Sequence, residues 1–114
     1  MTQKPTIPFS DWDKCDLRVG KILEVEDHPK ADKLYILNID LGELGTRTIV
    51  AGLRKVYTKA ELKGKLGIFI TNLEPVVLRG IKSEGMTLAA VNEDESIIAI
   101  LEPNKKIELG SKIR

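Results

Sequence analysis

A single cysteine, Cys15, and a single histidine, His28, are all this chain has of the two side chains that build most metal and nucleophilic centres. One cysteine excludes an internal disulfide and leaves a cysteine-based metal site without ligands. His28 precedes Pro29 in a polar turn, with no second histidine and no nucleophile beside it in sequence. Only a spatial pairing with Cys15 would give it a catalytic partner, so it reads as a turn residue. Gly80 and Gly85 have neither the spacing nor the strand-to-helix setting of a phosphate-binding loop or a dinucleotide fingerprint. Carboxylates are scattered among cations, which suggests surface pairing and not an acid–base dyad. No catalytic residue, cofactor or metal is implied, and the chain reads as a binding module. No apolar run approaches the ~20 residues of a membrane span, and the opening MTQKPTIPFSDWDK has no apolar core of signal-peptide length. A cytoplasmic protein without a membrane partner is expected. Gln3 is the only glutamine among many isoleucines, lysines and glutamates, a composition that leans toward heat adaptation.

What is present is enough apolar residue for one compact core: 42% of the 114 residues are hydrophobic and 31% are charged. The net charge of +1 conceals an asymmetry. Between Arg47 and Lys82 stand eight cations, Arg47, Arg54, Lys55, Lys59, Lys63, Lys65, Arg79 and Lys82, opposed only by Glu61 and Glu74. A basic segment on a nearly neutral chain is how a local polyanion-binding face looks in sequence. Strand alternation could equally scatter these side chains over several faces.

Residues 1–9 read as a flexible arm held out of regular structure by Pro5 and Pro8, and residues 10–114 as the folded domain. Ser10 is placed to cap one helical turn, with Phe9 and Trp12 packing onto the body of the domain. Leu17–Glu26 is a first long strand whose alternation slips just after Gly20, as at a bulge that lets one strand serve two sheets. Strands follow over 33–41 and 47–51, joined by a hairpin at 42–45. Thr58-Lys59-Ala60-Glu61 is a capping box and Gly64 suits the end of its short helix. Strands over 65–71 and 86–91 complete the order strand, strand, strand, short helix, strand, strand. That order predicts an all-β fold, a five-stranded oligonucleotide-binding (OB) barrel with a short helix between strands 3 and 4. Additional C-terminal strands are expected around IIAIL (97–101) and the alternating tail beyond Pro103. IIAIL is apolar at every position, so both its faces call for burial. A second subunit would supply that burial, which points to a homodimer; the alternative is packing across the end of its own barrel.

The stretch NLEPVVLRGIKSEGMTLAAV (72–91) stands out as a constrained loop carrying Asn72, Arg79, Lys82 and Ser83 among Pro75, Gly80 and Gly85. The bland reading is a surface crossover whose glycines only turn corners.

Taken together, DLRVGKI (16–22), HPKADKLY (28–35), DLG (40–42), RTIVAGL (47–53) and NLEPVVLRGIKSEGMTLAA (72–90) resemble the tRNA-binding domain family over almost the whole chain. That family includes the C-terminal domain or separate beta subunit of methionyl-tRNA synthetases, free-standing homodimeric tRNA-binding proteins and a chaperone-like branch. The resemblance implies tRNA as partner, a homodimer, and association with a methionyl-tRNA synthetase catalytic subunit. It implies an interface at Asn72, Arg79, Ser83 and Met86, where the chain matches the family's Asn-Leu-x-Pro, Arg-Gly and Ser-Glu-Gly-Met, with Lys82 beside them in the same loop. Arg79 and Lys82 would meet phosphates or a base edge. Lys30, Lys33, Arg47, Arg54 and Lys55 would follow the backbone, and Tyr35 and Tyr57 could stack on bases if they are not core residues. Val77 stands where members often carry lysine, and Ala51 where serine is common. An OB dimer that binds peptide or protein is the other reading, motivated by Val76-Val77-Leu78 and IIAIL.

Overall fold

The computed structural model describes residues 2–114. Residues 2–8 carry no regular structure; Met1, the first residue of the expected arm, lies outside the described residues. Helix α1 (Phe9–Trp12) is a single turn. Its N-cap is Pro8, not Ser10, and no side chain caps it, because the helix begins two residues earlier than the Ser10 pattern indicates. Phe9 and Trp12 do not pack into the barrel: Phe9 is 73% exposed. The core beneath this end is already filled by Leu17, Val19 and Ile68, with Leu66, Ile70, Leu88 and Ile113 against them.

Strand β1 (Leu17–Asp27) serves two partners, as its broken alternation indicates. Its first half pairs with β4 (Leu66–Ile70) and its second half with β2 (Tyr35–Asp40). The register slips between Ile22 and Glu24, two residues beyond the place expected from Gly20. β2 pairs in turn with β3 (Thr46–Ala51) across a 3-10 turn at Gly42–Leu44. Leu37, Ile39, Leu41, Ile49 and Phe69 fill the barrel interior. Helix α2 (Lys59–Leu62) has the full capping box: Thr58 Oγ1 accepts from the Glu61 N–H at 3.2 Å, and Glu61 Oε1 accepts from the Thr58 N–H at 2.8 Å. It buries Leu62 under the barrel, between strands 3 and 4.

The stretch after β4 is not a loop. It forms a β-hairpin, β5 (Val76–Leu78) and β6 (Ile81–Ser83), followed by β7 (Met86–Thr87) against β4. The Glu84 N–H donates to Thr48 O at 2.8 Å, so this segment bridges β4 and β3 and nearly closes a five-stranded antiparallel barrel of OB type. Gly85 is where the chain turns between the two neighbours; a Cβ there would lie 2.8 Å from Ile70 O. The fifth strand expected over 86–91 is broken at Leu88, whose N–H donates to Ile68 O. Its second part, β8 (Ala89–Val91), leaves the barrel and pairs with β9 (Ile98–Ile100). Within IIAIL, Ile98 and Ile100 turn inward onto the barrel's own core, while Ile97 (63% exposed) and Leu101 face out. Own-barrel packing therefore accounts for one face of that strand, and the other stays open. The tail forms no further strand: it runs along β1 through a bridge between Arg18 and Lys112. No helix among the described residues is long and apolar enough to cross a membrane.

Candidate nucleic-acid interface

Two antiparallel strands joined by a two-residue connection favour primed turns, and the I′ form takes positive φ at both turn positions, a geometry that matches strand twist. Arg79 has φ 50° and Gly80 φ 88°. Glycine takes this conformation freely; arginine takes it under strain. The Arg-Gly pair thus places a guanidinium at the very tip of the hairpin. The register sets Val77 opposite Lys82, both exposed, on the outer face, and Leu78 opposite Ile81, both half-buried, on the inner face.

The hairpin is fixed at two points. At its base Ser83, buried, accepts from the Val50 N–H at 2.9 Å and donates to Gly85 O at 3.2 Å. Glu84 Oε1 accepts from the Thr48 N–H at 3.3 Å. Near the tip, His28 Nε2 lies 2.9 Å from Leu78 O, and His28 Nδ1 accepts the Lys30 N–H at 3.0 Å. His28 is a turn residue, but a buried one. Nothing in its sequence neighbourhood signals this, because the partner is fifty residues away.

Of the eight cations from 47 to 82, five are engaged within the fold. Arg54 and Lys59 both pair with Asp27, Lys63 pairs with Glu24, and Lys65 with Glu102. Arg47 donates to Thr71 O at 2.8 Å and Glu84 O at 3.3 Å. Arg54 also donates to His28 O and Ala31 O, which stiffens the β1–β2 turn. The charge excess is therefore no uniform patch. Lys55, Arg79 and Lys82 remain exposed and without an ion pair among the described residues, as do Lys30 and Lys33 in the β1–β2 turn. These five belong to one end of the barrel. Arg54 bonds the β1–β2 turn, its N–H donates to Lys33 O, and His28 ties that turn to the hairpin.

The other sequence-derived site residues fall as follows. Asn72 spends its amide on the backbone: Oδ1 accepts from the Asp16 N–H at 2.8 Å and Nδ2 donates to Lys14 O at 2.6 Å. Met86 opens β7 with its side chain exposed. Tyr35 is buried and donates to Tyr57 O at 2.8 Å, and Tyr57 OH accepts from the Ile100 N–H, so both tyrosines belong to the packing between barrel and β9 and not to a stacking surface. No group of three His, Cys, Asp or Glu side chains among the described residues could hold a metal ion.

A small OB-type barrel presenting five unpaired cations and a rigid, strained hairpin is of the class that binds polyanionic single strands or folded RNA. Residues 17–112 match the family described as "Putative tRNA binding domain", and the chain belongs to that family. It is 54% identical over 108 residues to the methionine–tRNA ligase of Pyrococcus horikoshii and 52% identical over 108 residues to that of Nanoarchaeum equitans. Both alignments take in 95% of this chain but 14% of the relative, so the chain spans about one-seventh of the length of these ligases. Among solved structures, a MetRS-related protein from Pyrococcus horikoshii superposes with TM-score 0.90 at 28% identity, covering 97% of this chain and all of that one. The chaperone CsaA from Bacillus anthracis superposes with TM-score 0.87 at 32% identity, covering 96% of this chain and all of that one.

Proposed function

We propose that this chain is a non-catalytic tRNA-binding module that grips folded tRNA through the end of the barrel carrying Lys30, Lys33, Lys55, Arg79 and Lys82. The observation that carries the reading is the fixed hairpin: its tip and outer face present Arg79 and Lys82 beside three further unpaired lysines, on a chain of the tRNA-binding family. Arg79 contacts phosphate or a base edge with two parallel hydrogen bonds, while the lysines act as point charges along the backbone. Arg47, Arg54, Asn72 and Ser83 shape the site from behind. Recognition is of tRNA shape, with little discrimination among tRNAs by one barrel. The module works in the cytoplasm as a homodimer that raises the local concentration of tRNA for a methionine–tRNA ligase, as a subunit of it or as a free-standing companion.

Titration of the protein with total tRNA at two salt concentrations, beside Arg79→Ala, tests this. Binding that weakens with salt and weakens again in the variant is expected; affinity indifferent to both would sink the reading. A second reading is peptide binding, favoured by the exposed Leu73, Val76 and Val77 and by the likeness to the CsaA chaperone. Unfolded peptide that binds without tRNA binding, or displaces tRNA, would favour it.

A further inference from the structure

We propose that His28 is the positioning residue of this interface: its imidazole holds the tip of the β5–β6 hairpin to the β1–β2 turn and so sets where Arg79 stands relative to Lys30, Lys33 and Lys55. The inference rests on the tRNA-binding reading above. A two-stranded ribbon is marginal by itself in water, and this one has three residues in each strand. Its base is pinned by Ser83 and Glu84, but among the described residues the hydrogen bond from His28 Nε2 to Leu78 O is the one that ties its tip to the rest of the barrel. Leu78 immediately precedes Arg79. Without that bond only the packing of Leu78 and Ile81 holds the tip, with the guanidinium at the far end of the lever.

The hydrogen bonds also fix the state of the ring. Nδ1 accepts the Lys30 N–H, so it carries no proton, and Nε2 must therefore carry one, which it donates to Leu78 O. One neutral tautomer satisfies both contacts. The other tautomer would set an N–H against the Lys30 N–H and a bare nitrogen against a carbonyl. The same ring thus orders the turn that carries Lys30 and the hairpin that carries Arg79, and Arg54 holds the turn from its other side through His28 O and Ala31 O.

Two substitutions in the full chain separate the two bonds. In His28→Gln the amide nitrogen falls where Nε2 stood and can still donate to Leu78 O. In His28→Asn the side-chain oxygen can still accept from the Lys30 N–H but cannot reach the hairpin. The asparagine variant is expected to keep the barrel's protected amides, to exchange the amides of residues 76–83 faster, and to bind tRNA roughly two- to tenfold more weakly, the worth of one hydrogen bond. The glutamine variant should restore both readouts to within about twofold. Long-range nitrogen–proton couplings of the ring in the parent should report the Nε2–H tautomer. Parent-like hairpin exchange and affinity in the asparagine variant, equal loss in both variants, or the Nδ1–H tautomer would each overturn the proposal. Should the parent itself fail to bind tRNA, the tRNA reading falls, and hairpin exchange in the two variants still decides the role of His28.

Discussion

At the scale of single residues, the cations of this chain divide by what else they touch. Arg47 and Arg54 look in sequence like Arg79, but their guanidinium groups are spent on backbone carbonyls, and on Asp27 for Arg54. Arg79 makes none of these contacts and holds its backbone at φ 50°, a conformation that costs an ordinary side chain about 1–2 kcal/mol. Strain kept at an exposed tip is the kind that function retains. Arg79→Asn puts the favoured Asn-Gly pair into the same turn. The expected outcome is opposite signs in two measurements: thermal unfolding rises by up to about 1 kcal/mol, while tRNA affinity falls. A variant that lost stability along with affinity would show that the guanidinium holds the fold and not the ligand. Ser83 is the converse case. It reads as a polar loop residue in sequence, yet its hydroxyl is buried on the Val50 N–H, and removing it would leave that donor unsatisfied at a cost of about 1–3 kcal/mol.

At the scale of elements, the barrel was legible and the hairpin was not, for a physical reason. β1, β2 and β4 are long enough for alternation to show, and the capping box at Thr58 is a local pattern that needs no tertiary knowledge. β5 and β6 have three residues each, too few for a period of two to declare itself, and Pro75, Gly80 and Gly85 look like loop punctuation. The candidate interface residues were readable as a motif, but which of them face solvent depends on partners such as His28 and Thr48 that are distant in the chain. The hairpin register gives a further prediction. Val77 sits opposite Lys82, so Val77→Lys would set like charges across one strand pair, costing roughly 0.2–1 kcal/mol of hairpin stability. It should also add a phosphate contact, steepening the salt dependence of tRNA binding by about one unit of log–log slope. Unchanged slope would mean that the outer face of the hairpin does not meet RNA.

The C-terminal tail gives a pH prediction of its own. The Arg18 guanidinium bonded to Asp16 at 2.6 Å holds that carboxyl below the ordinary aspartate range, with Lys112 adding to the effect. Arg18 also donates to Gly110 O, so the pair clamps the tail to β1. A depressed folded pKa means the pair stabilises the protein above the unfolded value, about 3.9, and that this contribution fades as pH falls through the lower folded value. Asp16→Asn should therefore melt lower than the parent at neutral pH, and the gap should close on acidification below about pH 4. A gap that stayed constant in acid would assign the loss to geometry instead of charge.

At the scale of the whole molecule, what remains exposed argues for a second copy. The outer face of β9 offers Ile97 and Leu101 beside the exposed Ala99 and Ala90, on a two-stranded sheet whose other face sets Ile98 and Ile100 against the barrel. Apolar side chains gathered on one small sheet mark an interaction surface more often than scattered ones do. An isologous contact there would bring two sets of five cations into one assembly. Sedimentation of the parent is expected to give twice the chain mass, and Ile97→Glu, placing a charge at the centre of the contact, should give the monomer. The monomer should still bind tRNA through its own hairpin, but more weakly and with a shallower salt dependence than the dimer, because the second barrel no longer acts at high effective concentration. A dimer that survives Ile97→Glu would move the contact to another exposed face, such as Phe9 and Trp12. A monomeric variant that binds as tightly as the parent would show that one barrel suffices and that pairing serves some other end.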